Sequence, residues 1–187
     1  GEDFRRAADC YRKAEFPRHA AAAFVKCGAW RSAAECLEEV FAEEGRKSGA
    51  HADAKKEQAL QKLVRQTARL YERAQDYEKA LAVLEGGGCG IPAAELALTL
   101  HQPARAADLF LEAGDPVRAA EALRDVGEDQ RAAQLLGQHY RDAGQTEAAA
   151  KSFVEAGEFM EAADLYRQLE HFEAAGRCFS KLDAFGQ

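Results

Sequence analysis

The chain is poor in the residues that build loops, sheets and metal sites. It has four prolines in 187 residues, one tryptophan and one methionine. Its five cysteines form no CxxC pair, and no HExxH or spaced Cys/His set accompanies them, so a zinc site has no motif to rest on. Neither a GxSxG nucleophile turn nor a Gly-Lys-Ser/Thr phosphate loop is present, and the reading is accordingly non-enzymatic, with no catalytic, cofactor-binding or metal residues. No apolar run reaches the roughly 18 residues that a membrane span needs. Strict apolar/polar alternation is missing too, which argues against a sheet.

What the chain has in quantity is a period of 13 residues. Small pairs recur at Ala7-Ala8, Ala20-Ala21, Ala33-Ala34, Ala93-Ala94, Ala106-Ala107, Ala119-Ala120, Ala132-Ala133 and Ala162-Ala163. Weaker copies begin at Thr67, Ala80, Ala149 and Ala175, making 12 units. A larger apolar residue follows at slot 5 of each unit, as in Tyr11, Phe24, Leu37, Phe110, Leu123 and Tyr166. A small or aliphatic residue comes at slot 8, as in Ala14, Cys27, Val40 and Val126. Fixed-period self-similarity is the mark of a repeat array.

At 100° per residue, slots 1, 2, 4, 5 and 8 fall within about 160° of a helix. Slot 11, which holds Phe4, Trp30, Tyr77, Phe159 and Phe172, is expected to join that arc. So wide an apolar face requires neighbours on two flanks, as in stacked helices. Gly28, Gly114, Gly127 and Gly157 occupy slot 9, where a glycine ends a helix in the left-handed conformation. Pro17, Pro103 and Pro116 occupy slot 11, suited to a first helical turn, and Asp115 reads as an N-cap. The expected fold is all-α, a right-handed α-solenoid of about 12 short helices in about six antiparallel hairpins, forming one domain over residues 1–187.

Two insertions break the period. Eight extra residues place a loop at 45–53, expected to be the most mobile internal stretch, between longer helices at about 31–44 and 54–74. Four more lengthen the helix through Gly137 to Tyr140. The stretch from Gly86 to Gly90 is a candidate hinge. Cys10, Cys27, Cys36 and Cys178 fall in core slots and read as small hydrophobes in a reducing compartment, whereas Cys89 reads as a loop residue. The chain is expected to be a segment of a longer, cytoplasmic polypeptide.

The strings Ala106-Ala107-Asp108-Leu109-Phe110-Leu111-Glu112-Ala113-Gly114-Asp115 and Ala162-Ala163-Asp164-Leu165-Tyr166 resemble helices of tetratricopeptide-like solenoids, as does Tyr71-Glu72-Arg73-Ala74-Gln75-Asp76-Tyr77-Glu78-Lys79-Ala80. The short unit, without a 34-residue spacing, looks more like the variant solenoids of SNAP adaptors, clathrin heavy chain and intraflagellar-transport subunits. The resemblance covers nearly the whole chain and rests on packing residues. It implies a scaffolding or partner-binding role and transfers no functional residue.

Charge narrows the partner. The formal net charge is −7, with 15 basic and 12 acidic residues in 1–74 against 10 and 20 in 75–187. An acidic second part disfavours nucleic acid and anionic membrane. Lys79, Arg105 and Arg131 recur at 26-residue spacing, so antiparallel hairpins would set them along one edge as a ridge for an acidic or phosphorylated peptide. The competing reading is local pairing, since Asp76, Asp108 and Glu128 each lie three residues from a ridge member. The expected function is a non-catalytic protein–protein interaction scaffold. The alternative is a regulatory or spacer segment of a larger, nucleotide-driven or other multidomain enzyme, with catalysis carried elsewhere.

Overall fold

A computed structural model describes residues 2–47 and 54–185, and every described element is helical. Twelve helices lie among those residues, in two compact units, Gly1–Leu100 and His101–Gln187. The first unit holds α1 (Glu2–Lys13), α2 (Pro17–Lys26), α3 (Trp30–Lys47), α4 (Ala54–Arg73), α5 (Tyr77–Gly86) and α6 (Gly90–Thr99). The second holds α7 (Pro103–Glu112), α8 (Pro116–Asp125), α9 (Asp129–Asp142), α10 (Thr146–Ala156), α11 (Phe159–Gln168) and α12 (Phe172–Phe185). In each unit every helix packs against the next in sequence, the arrangement of an all-α helical repeat.

The 13-residue period is the sum of a ten-residue helix and a three-residue turn. At nine of the joints the N–H of the residue before the next helix donates six-to-one to a carbonyl of the last turn, as Ala29 to Phe24 (2.9 Å), Asp115 to Phe110 (2.8 Å) and His171 to Tyr166 (2.8 Å). The slot-9 N–H donates to the slot-6 carbonyl, as Gly114 to Leu111 at 3.0 Å. Together they form the Schellman closure, which satisfies carbonyls that a helix end leaves unpaired. It requires a positive φ at slot 9, found at Gly28, Gly114, Gly127 and Gly157 as the sequence predicts. The same conformation appears where the sequence offers no glycine, at Glu15, Gln75, His101 and Glu170, with φ of 57–60°. The same pair of bonds closes the turns at Glu15, Gln75 and Glu170, where it overrides the side chain's own preference.

The slot-10 residue then caps the following helix. Asp115 does so with its side chain, accepting from the Arg118 N–H at 3.1 Å. Pro17, Pro103 and Pro116 each open a helix where a missing N–H costs nothing.

Slots 1, 2, 4 and 5 form the core. The alanines at 20, 33, 34, 80, 93, 106, 119, 120, 132 and 162 are wholly buried, as are Leu81, Tyr71 and Phe110 to within 1%. Thr67 stands in an alanine slot, fully buried, with its hydroxyl donating to the Leu63 carbonyl at 2.9 Å. Alternate helices meet along their edges through charge. Arg31 at the start of α3 reaches Asp76 before α5 at 2.6 Å, and Arg131 of α9 reaches Asp108 of α7 at 3.9 Å. N-termini of alternate helices in a unit therefore share an edge, which makes consecutive helices antiparallel.

Several expectations need correction. Slot 8 is not core where it ends a helix: Cys27, Leu100, Ala113, Val126 and Leu169 are C-caps, and Val126 is exposed, whereas Val40, inside the lengthened α3, is buried as expected. Slot 11 joins the core only in part: Trp30 and Phe159 are half-buried and Phe159 packs against the core of the second unit, whereas Phe4, Tyr77 and Phe172 stand exposed. Helix α3 runs on to Lys47, past the expected start of the loop at Gly45; residues 48–53 of that loop lie outside the described residues. Cys10, expected in the core, is exposed, whereas Cys89 is buried at the N-cap of α6. The stretch from Gly86 to Gly90 holds the three-residue turn between α5 and α6.

Candidate docking face on helix α4

Helix α4 buries one side, comprising Leu63, Val64, Thr67, Ala68, Leu70 and Tyr71. The other side carries cations at helical spacing: Lys62, Arg65, Arg69 and Arg73. Over its 20 residues α4 has six basic side chains against two acidic ones. Neighbours three or four apart lie one above another on a helix, and like charges there are unfavourable by a few tenths of a kcal/mol per pair. No carboxylate stands three or four residues from Lys62 or Arg65 to relieve them. Nor does any other described residue supply a side-chain hydrogen bond or ion pair to Lys62, Arg65 or Arg69.

The row fronts concave surface. Gln58, Gln61, Lys62, Arg65, Gln66 and Arg69 line a hollow of about 520 Å³. Beyond Gln66 and Arg69 a second hollow of about 670 Å³ continues between α2, α4 and the start of α5. Val25, Leu70 and Tyr77 line it together with Arg69, Arg73 and Glu72. Arg73 is held over the Trp30 ring at 5.0 Å, a cation–π contact that leaves its charge facing outward. Glutamines between the cations add neutral donors and acceptors. Chemically the face suits an anion-bearing, extended ligand with some apolar content.

The three cations of the expected ridge are otherwise placed. Lys79, in the first unit, lies 3.9 Å from Glu35 and 5.4 Å over the Tyr71 ring. In the second unit Arg105 takes the Gln102 side-chain oxygen at 3.2 Å. Arg131 binds Glu128 at 3.0 Å and Asp108 at 3.9 Å. Asp76, expected beside Lys79, goes to Arg31 instead. The sequence signal for the α4 row was available in the spacing 62, 65, 69 and 73. Lys62 and Arg65 lie in the lengthened part of the chain, ahead of the unit that begins at Thr67, whereas Arg69 and Arg73 fall in polar slots 3 and 7 of that unit, so a reading built on the repeat did not join the four.

Potential chemical groups elsewhere are quiet. Among the described residues no three His, Cys, Asp or Glu side chains are grouped to hold a metal, and no helix is long and apolar enough to cross a membrane. Burial pushes the Cys36 and Cys178 thiols up, away from the reactive thiolate. Burial, then the hydrogen bond to Glu38 at 2.6 Å, pushes the Tyr71 phenol up as well. On the surface the Lys151 ammonium, 2.7 Å away, holds Glu147 below its usual range.

No protein-family model matches the chain, and no curated protein matches it. Among solved structures it is similar to BtubC (BKLC) from P. vanneervenii, at 16% identity, over 98% of this chain and 88% of that one, with a TM-score of 0.33. A likeness that loose carries no argument about family or function.

Proposed function

We propose that this chain is a non-catalytic protein-interaction module, a tetratricopeptide-like helical scaffold that docks an acidic or phosphorylated segment of a partner protein on α4. The observation that supports it is the row Lys62, Arg65 and Arg69, three cations at helical spacing beside a hollow and without a partner among the described residues. Such a row costs the isolated helix stability, and an anionic ligand would repay that cost by neutralising it. The ridge residues Lys79, Arg105 and Arg131 have internal partners and play the lesser part. Five free cysteines fit a reducing, cytoplasmic setting. Nucleic acid is the disfavoured ligand, since residues 101–187 carry nine basic and sixteen acidic side chains.

The test is site-specific photo-crosslinking from Gln66 in cells that make the protein, with a crosslinker at Glu161 on α11 as control. The expected result is an acidic protein segment captured from Gln66, absent from the control, and lost when Arg65→Glu and Arg69→Glu are combined. Capture of RNA in place of protein, or capture that survives the double reversal, would overturn the reading.

A further inference from the structure

We infer that the ligand of α4 is a phosphorylated segment, its phosphoryl group seated at Arg65 between Lys62 and Arg69. This rests on the docking reading above and decides which anion the face takes. Six side chains line the hollow along the row: Gln58, Gln61, Lys62, Arg65, Gln66 and Arg69. None of the six makes a hydrogen bond or an ion pair with another described residue. No carboxylate lines the hollow, and Glu72, three residues beyond Arg69, lines the neighbouring one instead. The wall therefore offers three positive charges and three amide groups with N–H donors, and sets no negative charge against them.

Arg65 is the middle of the row. Lys62 lies three residues before it and Arg69 four after, about 4.5 and 6 Å along the axis and within about 60° around it. The long stems of both side chains carry their charges to an anion held at Arg65. A carboxylate has one charge on two oxygens, and a single guanidinium fork fills it. It would leave the other two cations of the row without a partner. A phosphomonoester carries about −1.5 to −2 on three oxygens at neutral pH. It takes the Arg65 fork and still presents oxygen to Lys62 and Arg69. One ligand residue then neutralises what two or three carboxylates at fixed spacing would otherwise have to. Ordering one side chain in place of three also loses less conformational entropy.

The experiment compares two pools of fluorescent peptides, random in sequence except for a central phosphoserine in one and a central glutamate in the other. Binding to the unmodified chain is read by anisotropy at low salt. The phosphoserine pool should bind at least about tenfold more tightly than the glutamate pool. Arg65→Lys keeps the charge and removes the fork, and should cut that preference to about threefold or less. Arg65→Glu combined with Arg69→Glu should abolish binding of both pools, with thermal melts verifying that the variants fold. Lowering the pH from about 7.5 to about 5.5 protonates the phosphoryl group, whose second pKa is about 6, and leaves glutamate charged. No carboxylate or imidazole lines the hollow to titrate with it, so the phosphoserine pool alone should weaken, by about threefold. Pools that bind alike, or a preference unchanged by Arg65→Lys or by acid, would overturn this inference and leave acidic docking standing. No binding by either pool, or binding indifferent to the double reversal, would overturn both.

Discussion

The second unit and helix α4 use positive charge in opposite ways. In residues 101–187 all nine basic side chains are engaged. Arg124, Arg131, Lys151, Arg167 and Arg177 pair with carboxylates. Arg118, Arg141 and Lys181 lie over the rings of Phe110, Phe153 and Phe159, and Arg105 takes Gln102. Some of those contacts tie alternate helices, as Arg124 of α8 does with Glu155 of α10 at 3.7 Å. On α4, Lys62, Arg65 and Arg69 have no such partner among the described residues. The turns and the alanine core are the same in both units, so packing chemistry does not account for the contrast. A charge with an internal partner explains itself by the fold; a row without one points outward.

The largest expected effect tests the shared half of that comparison. Ala80→Leu in the first unit and Ala120→Leu in the second each place a larger side chain at a wholly buried slot, and each should lower stability by about 1–3 kcal/mol through overpacking. Gly87→Ala belongs with them, since a Cβ there would run into the methyls of Val64. Thermal or denaturant melts check all three. A chain that tolerates leucine in one unit alone would break the claim of a common core.

Tyr71 is the next largest, and it is particular to the first unit. Its ring is wholly buried while its hydroxyl donates to Glu38 at 2.6 Å. Glu38 is exposed and can recover water, so Tyr71→Phe should cost only about 1 kcal/mol, the usual net worth of a hydrogen bond. The phenol's pKa is higher folded than unfolded. Its contribution is therefore whole below about pH 10, the unfolded value, and is lost as pH rises from there toward the folded value. Urea melts between pH 8 and 11 should show stability falling at the alkaline end in the parent and falling less in Tyr71→Phe.

The four turns without glycine give a smaller effect of opposite sign and show where sequence reading stops. Repeat length, helix number, the alanine core and the slot-9 glycines were all legible, because packing and a positive φ each demand a residue type. The left-handed backbone at Glu15, Gln75 and Glu170 was not, because nothing in a glutamate or glutamine announces it; only the closure around them imposes it. Slots 8 and 11 misled in part: Val40 is buried and Phe159 packs on the core, but most apolar residues there cap helices or stand exposed, and periodicity does not separate a cap from a core position. Of the candidate site, the residues of α4 were in plain view, but their lack of partners is a property of the folded chain. Gln75→Gly and Glu170→Gly should each raise stability by about 1 kcal/mol, relieving the left-handed penalty of a residue with a Cβ. Equal gains in the two units would sharpen the claim that one turn serves both, and a loss at either position would break it.

The smallest expected effect bears on the contrast itself. Arg65→Glu turns two like-charge neighbours, Lys62 three residues before and Arg69 four after, into opposite-charge pairs. Helix pairs of this kind are worth a few tenths of a kcal/mol each, so the variant should be at least as stable as the parent, by up to about 0.5 kcal/mol. Arg131→Glu makes the reverse exchange, setting a carboxylate beside Glu128 and Asp108, which the arginine now holds at 3.0 and 3.9 Å. These groups are about half exposed, and screening keeps the loss to about 0.5 kcal/mol. Melts at low salt resolve a difference of this size, and it should shrink as salt is added. The sign is the decisive quantity: reversal on α4 stabilises or is neutral, whereas reversal on α9 destabilises. If both reversals destabilise alike, the α4 row is serving the fold as the second unit's cations do, and its claim to an outside ligand falls with it.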